Sequence, residues 1–300
     1  MRIASLLPSA TEILFALGLG DSVVGVTHEC DFPDEARSKP HLTRSLIPAG
    51  LSSAEIDAAV VQSQRDLHTL YALDSSLLAS LRPDLVITQS LCDVCAVPRS
   101  EVDEAVCTMP READVISLDP TSLEDVLRDV LRVGEACDRR DDARKVVAGL
   151  EARIEAVCSK TAGAMRPSVF VAEWLDPIFC AGHWLPGMVE IAGGCPLLGR
   201  RGEDSERVEW DAVLAAGPDV MLLMACGFDA QRTLEEASCM TARHGWADVP
   251  AVRSGRVFVM DGNAYFARPG PRLVDGTEMM ARAFQPYRFD DLLPDGVAFK

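Results

Sequence analysis

Residues 141–158 read DDARKVVAGLEARIEAVC. Ala143, Val146, Val147, Leu150, Ile154, Val157 and Cys158 recur at helical spacing, so one long face is apolar. Asp141 and Asp142 stand in the first turn, where negative charge suits the helix dipole. Pro167 closes the region a little further on. No strand-like run interrupts the chain from Thr121 to Thr161, and an α/β segment of roughly one domain's length lies on either side. The pattern predicts a helical spine, 121–165, joining an N-terminal α/β lobe, 1–120, to a C-terminal one, 166–300. One ordinary helix inside a single α/β domain is the plainer alternative.

The two flanks echo one another. Leu81–Thr88, LRPDLVIT, turns a short helix into a buried strand, and Leu214–Leu223, LAAGPDVMLL, repeats the device. Ile3–Leu7 reads as a strand that passes through Pro8-Ser9-Ala10-Thr11-Glu12 into a helix ended by Gly18 and Gly20. Val23–Val26, Val115–Leu118, Val169–Ala172 and Val257–Met260 supply further strands. Residues 31–53 look irregular, a helix is expected from Ser52 or Ser53 towards Leu70, and a last one within Phe266–Phe284. Each lobe is therefore a small sheet of helix-connected strands. Ligands of such sheets sit at the carboxyl ends of strands, which makes a cleft between lobes the expected site.

Three hundred residues with a net charge of −17 are not the composition of a nucleic-acid or anionic-membrane binder. No apolar run is long enough to span a bilayer. The chain starts MRIASLLP and enters its first strand without a basic n-region, an apolar h-region or a cleavage site. That predicts a cytoplasmic protein, unless the true start lies upstream. Ten cysteines without a disulfide-like spacing agree with a reducing compartment.

The order of these stretches resembles the substrate-binding proteins of ATP-binding-cassette importers for vitamin B12, haem and iron siderophores. LLPSATEILFALGLGDSVVGV (6–26) is similar to that family's first strand, turn and helix. LRPDLVIT and AGPDVMLL resemble its helix–turn–strand units, and DPIFCAG (176–182) and AYFARPGPR (264–272) its cleft-lining stretches in B12 binders. The resemblance runs from Arg2 to Phe284. It implies two lobes on one helical backbone, a monomer without catalytic residues, and a corrinoid (cobalamin) or another metal chelate as ligand. It places Pro8, Ser9, Thr11 and Glu12 at the cleft from the first lobe; Gln89, a further ligand candidate, stands at a strand end where the B12 binders have an aromatic residue. From the second it places Glu173, Trp174, Phe179 and Gly182, followed by His183 and Trp184, and Tyr265, Phe266 and Arg268 on a loop. An aromatic cluster suits a flat macrocycle, Arg268 an amide edge or an anionic group, and His183 an axial metal position. It also implies docking on a permease through an acidic residue of each lobe, Glu101 and either Glu209 or Asp211.

Two stretches depart from the pattern. Gln89-Ser90-Leu91-Cys92-Asp93-Val94-Cys95 carries a CxxC, and Thr27-His28-Glu29-Cys30-Asp31 is rich in ligand-type side chains. Both follow first-lobe strand ends, so Cys30, Cys92 and Cys95, completed by His28 or Cys180, form a candidate metal or iron–sulfur site. Buried small-residue packing is the plainer reading of each thiol. The cysteines leave a second function open, that of a cytoplasmic chelatase-like or redox enzyme. No dinucleotide fingerprint, P-loop, nucleophile elbow or HExxH supports it.

Overall fold

The computed structural model describes residues 1–65, 70–90, 97–109, 113–289 and 297–299. By backbone proximity the chain divides into two compact units. The first comprises Met1–Leu51, Glu55–Pro120 and Asp125–Val147; the second comprises Ser52–Ala54, Thr121–Glu124 and Ala148–Lys300.

In chain order the first unit holds β1 (Ile3–Ser5), α1 (Pro8–Ala16), β2 (Val23–Gly25), a 3-10 turn at Asp34–Ser38 and β3 (Thr43–Ser45). Then come α2 (Ser53–Arg65), β4 (Tyr71–Leu73), α3 (Ser75–Leu81), β5 (Leu85–Thr88), α4 (Arg99–Cys107), β6 (Asp114–Ser117), α5 (Leu123–Ala136) and α6 (Arg140–Thr161), the first two residues of α2 and of α5 counting with the second unit. The boundary between the units falls inside α6, between Val147 and Ala148.

The strands β2-β1-β5-β6 form one sheet, all parallel, with Ile3 opposite Leu85 and Ile87 opposite Ile116. Alternation along the strands separates two apolar layers. Ile3, Leu85 and Ile87 pack with Ile13 and Leu14 of α1, Val130 and Val133 of α5, and Ala143 and Val147 of α6. Ala4 and Val86 pack on the opposite face with Leu78 of α3 and Val102 and Ala105 of α4. Both faces are covered, which is why these strands read as unbroken apolar runs rather than alternating ones.

Local chemistry sets the element ends. Pro8 opens α1 at its first turn and Gly18, at φ 69°, follows its end. Asp74 caps α3 through its side chain, accepting from the Leu77 N–H at 2.8 Å, and Arg82 ends it at φ 47°. The long helical stretch is two helices, not one, broken near Asp138 at φ 54°. α5 then lies against α6 so closely that a Cβ on Gly134 would meet the Ala143 Cβ at 2.3 Å. α5 and the first part of α6, to Val147, both pack into the first unit's core.

The short strands β3 and β4, an antiparallel pair, fall where no strand was expected, because three-residue strands carry no period to read. The helix after Ser53 is described only to Arg65; the rest of its expected span lies outside the described residues.

The second unit continues with β7 (Ser168–Leu175), β8 (Ile178–Cys180), α7 (Leu185–Ile191), β9 (Cys195–Pro196), β10 (Glu206–Arg207) and α8 (Trp210–Ala216). There follow β11 (Val220–Leu223), α9 (Ala230–Glu236), α10 (Ser238–Thr241), α11 (Pro250–Arg253), β12 (Val257–Val259), α12 (Gly262–Tyr265), α13 (Leu273–Phe284) and β13 (Val297–Phe299). The sheet order is β10-β8-β7-β11-β12-β13, with β9 paired to β7. β7, β11 and β12 run parallel, Leu222 facing Val171 and Phe258; β8, β10 and β13 are antiparallel additions. α13 buries Leu273, Val274, Met280 and Phe284, and Arg153 of α6 holds its outer side through Glu278 at 2.9 Å.

Candidate functional site

In the first unit the carboxyl ends of the strands carry a web of hydroxyls and one thiol. Thr11 donates to the Ser5 hydroxyl at 2.8 Å and lies 3.1 Å from the Cys30 sulfur, which Thr27 also approaches to 3.1 Å. Ser5 donates in turn to the Leu7 carbonyl at 3.0 Å. Ser9, Thr11, Glu12, Gln89 and Cys30 are all buried, and only Pro8 of the α1 candidates keeps part of its surface. Thr11 thereby braces the turn after β1 through Ser5 and the Leu7 carbonyl. Hydroxyl side chains within a buried stretch satisfy one another, which helical spacing alone does not reveal.

His28 is half-buried. Its Nδ1 is paired with the Thr43 hydroxyl at 2.8 Å and its ring lies 5.5 Å from that of Tyr71. Its Nε2 is 3.3 Å from a Glu29 oxygen, but without the alignment of a hydrogen bond. Cys92 and Cys95 lie outside the described residues. Among the described residues no three or more His, Cys, Asp or Glu side chains come together as a metal-holding group. Cys30 is 2% exposed and sits among hydroxyls, the surroundings of a packed thiol.

At the ends of β5 and β6, Ser117 donates to Asp119 at 2.7 Å and contacts Ser90 at 3.1 Å, and the Ser90 N–H also meets Asp119. Arg132 of α5 reaches the Ser117 carbonyl at 3.0 Å and Asp129 at 2.7 Å. Burial raises the Asp129 carboxyl above its ordinary range, against the pull of Arg132.

The second unit assembles most of the predicted residues along the ends of β7, β8, β11 and β12. Glu173 and Trp174 end β7, both half-buried, and Phe179 on β8 is half-buried beside them, opposite Trp174 in register. The Glu173 carboxylate accepts from Ser205 at 2.7 Å, and the Ser205 hydroxyl accepts from the Gly182 N–H at 3.1 Å. Desolvation of that carboxyl raises its pKa, opposed by Ser205 and by the nearby His183. His183 takes a left-handed backbone, φ 51°, and its Nε2 lies 3.2 Å from the Asp204 carboxylate. Its N–H donates to the Glu203 carbonyl at 2.6 Å and its own carbonyl accepts from Gly202 at 2.9 Å. The 200–205 loop is thereby clasped onto Gly182–His183. Burial pushes the Cys180 thiol up to about 12.

Trp184 is buried and donates through Nε1 to the Phe266 carbonyl at 2.8 Å; Phe266 is 1% exposed. Both are buried, and their hydrogen bond ties the start of α7 to the loop after β12. Arg268 is buried too, donating to the Asn263 side chain at 2.8 Å. Tyr265 remains half-buried, with the Arg272 guanidinium 5.7 Å from its ring centre. Asp261 caps α12 at 2.7 Å from the Ala264 nitrogen. Two residues the sequence did not single out stand behind Trp174. Phe228, in the loop after β11, lies 5.1 Å from the Trp174 ring, and Arg232 of α9 lies 4.3 Å over Phe228. Phe228 follows a strand end by five residues, the one signal that could have marked it.

The family model for periplasmic binding proteins matches residues 3–264. The chain belongs to the periplasmic binding protein family. The family's "Uncharacterized ABC transporter substrate-binding lipoprotein YvrC" of Bacillus subtilis is 24% identical, over 97% of this chain and 82% of its own length. The vitamin B12-binding protein of Yersinia pestis is 20% identical over 74% of this chain and 69% of its own. The periplasmic heme-binding protein RhuT from Roseiflexus sp. RS-1 shares the fold with a TM-score of 0.72, at 23% identity over 96% of this chain and 99% of that one. The vitamin B12-binding protein BtuF of Vibrio cholerae does so with a TM-score of 0.69, at 19% identity over 95% and 96%.

Membership makes the chain a substrate-binding protein of the ABC-importer type, not an enzyme, and sets aside the chelatase and redox reading. The relatives are named for vitamin B12 and heme, not for a cysteine-bound cluster. The expected cytoplasmic location is corrected as well. The matched relatives are periplasmic proteins or lipoproteins, which points to the outer side of the cytoplasmic membrane. Among the described residues no helix is long and apolar enough to cross a membrane.

Proposed function

We propose that the protein captures a corrinoid of the cobalamin class and delivers it to an ABC permease. The observation that carries this reading is three half-buried rings of the second unit: Trp174 on β7, Phe179 opposite it on β8, and Tyr265 at the end of α12. Aromatic side chains offer large apolar area to a flat macrocycle at small entropic cost. Glu173, Gly182 and His183 stand next to these rings and supply polar contacts to amide edges. The relative named for vitamin B12 supports the same class.

A haem is the second reading. It is favoured by His183, a half-buried imidazole in a left-handed backbone beside Trp184, and by the fold shared with heme-binding RhuT. For the permease contact, Glu209 at the start of α8 is exposed, whereas Asp211 is paired with His244 at 2.9 Å and Glu101 accepts from the Leu73 N–H at 3.4 Å. Glu209 is therefore the acidic residue best placed to dock.

Titration of the purified chain with cyanocobalamin, haemin and ferrichrome, followed by tryptophan quenching and by absorbance, tests the assignment. Saturable one-to-one binding of cyanocobalamin is expected. A shifted Soret band with haemin and no response to cyanocobalamin would move the cargo to haem. Binding of ferrichrome alone would overturn the tetrapyrrole class.

A further inference from the structure

Trp174 stands in a closed circuit of contacts within the second unit. Its Nε1–H donates to the Ser53 carbonyl at 3.2 Å. The Ser53 N–H and hydroxyl donate to one oxygen of Glu236, at 3.2 and 3.0 Å. The other Glu236 oxygen is 3.5 Å from the Arg232 guanidinium. Arg232 lies 4.3 Å over the Phe228 ring, and Phe228 closes the circuit against the Trp174 indole at 5.1 Å, tilted by 54°.

The indole is thus fixed at its polar edge by a hydrogen bond and on its ring by an aromatic contact. Phe228 is 8% exposed, so it does not offer a face of its own, while Trp174 keeps part of its surface open. Glu236 takes both Ser53 donors on one oxygen, and its charge is balanced by Arg232. One guanidinium and one carboxylate cancel, so the circuit presents an apolar wall with no net charge.

We infer that Phe228, Arg232 and Glu236 are positioning residues that hold the Trp174 indole as a preset apolar wall for the flat face of an uncharged, amide-edged macrocycle. This rests on the proposed reading of the second unit's strand ends as a ligand face. A side chain already fixed loses no rotamer freedom on binding, which strengthens affinity by about 3- to 10-fold for one residue. A wall without net charge also disfavours polyanionic chelates, which would be desolvated there without compensation.

Two measurements separate the parts. The first needs no ligand: hydrogen exchange of the Trp174 indole proton, assigned by its absence in Trp174→Phe. Slow exchange is expected in the wild type, with protection at least about 10-fold lower in Phe228→Ala and Arg232→Ala. Equal exchange in all three overturns the circuit. The second is cyanocobalamin affinity. Trp174→Ala is expected to lose at least about 10-fold, Phe228→Ala and Arg232→Ala about 3- to 10-fold, and Phe228→Leu to recover part of the loss. If Trp174→Ala loses affinity and the Phe228 and Arg232 variants do not, the positioning role is refuted and the ligand reading stands. If the wild type itself binds no cyanocobalamin, the ligand reading falls and takes the wall's role with it. Because Phe228→Ala removes a buried ring, Arg232→Ala, at a half-buried side chain, carries the decision if Phe228→Ala fails to fold.

Discussion

Replacing Gly182 by alanine inserts one methyl group where the fold has left no room. A Cβ on residue 182 would lie 2.4 Å from the Glu203 carbonyl oxygen, 2.5 Å from the Asp204 carbonyl carbon and 2.6 Å from the Ser205 nitrogen. All three atoms are main chain, so no rotamer change relieves the clash. Gly182 is not in the left-handed region, so the cost is steric and not conformational. Restoring ordinary contact requires the 203–205 loop to retreat by about 1 Å. The retreat breaks or lengthens the bonds from His183 to Glu203 (2.6 Å), from Gly182 to Ser205 (3.1 Å) and from Ser205 to the Glu173 carboxylate (2.7 Å). Overpacking costs about 1–3 kcal/mol, and each hydrogen bond lost adds about 1 kcal/mol, though these do not sum fully. An overall loss of about 3 kcal/mol is expected, or about 6–12 °C in the unfolding transition of a unit this size. Differential scanning calorimetry is the assay, because two units need not melt as one. A transition within about 2 °C of wild type would refute the reasoning, since it would mean that the loop yields at almost no cost.

Other outcomes follow from single sites. Gly149 is exposed in the middle of α6, and a methyl group added there would meet nothing within 4 Å, so Gly149→Ala is expected to stabilise the protein by about 0.5–1 kcal/mol in urea unfolding; a loss of stability would contradict that open space. Burial raises the Glu173 carboxyl above its ordinary 4.5, so the folded chain holds that proton more tightly than the unfolded one. Its contribution is therefore full below 4.5 and is lost as pH rises through the folded value. Glu173→Gln should flatten the fall in urea midpoint as pH rises above 4.5, and an unchanged slope would contradict the assignment. With iodoacetamide under native conditions, exposed Cys107 and Cys195 should be alkylated first, and Cys30 and Cys180, each 2% exposed, last. Peptide mass spectrometry reads the order, and early modification of Cys180, whose thiol is pushed up to about 12, would contradict its burial.

The amino-acid sequence by itself determined the alternation of strands and helices and the repeated device of a helix turning into a buried strand. LVIT at 85–88 and VMLL at 220–223 became β5 and β11, because short apolar runs behind a Pro-Asp turn have one stable use in an α/β sheet. It also determined α6, whose apolar face at Ala143, Val147, Leu150 and Val157 is buried as the spacing demands. The resemblance carried by those stretches was enough to name the family and to point to the half-buried rings of the second unit, Trp174, Phe179 and Tyr265. Tertiary structure decided which polar residues remain open. Ser9, Thr11 and Glu12 are buried together with Ala10, Ile13 and Leu14, and no pattern within nine residues reports what packs against each face. Trp184, Phe266 and Arg268 turned inward for the same reason, each satisfied by a partner that local periodicity does not specify. The circuit of Trp174, Ser53, Glu236, Arg232 and Phe228 joins residues up to 183 positions apart, a proximity that exists only once the sheet has formed.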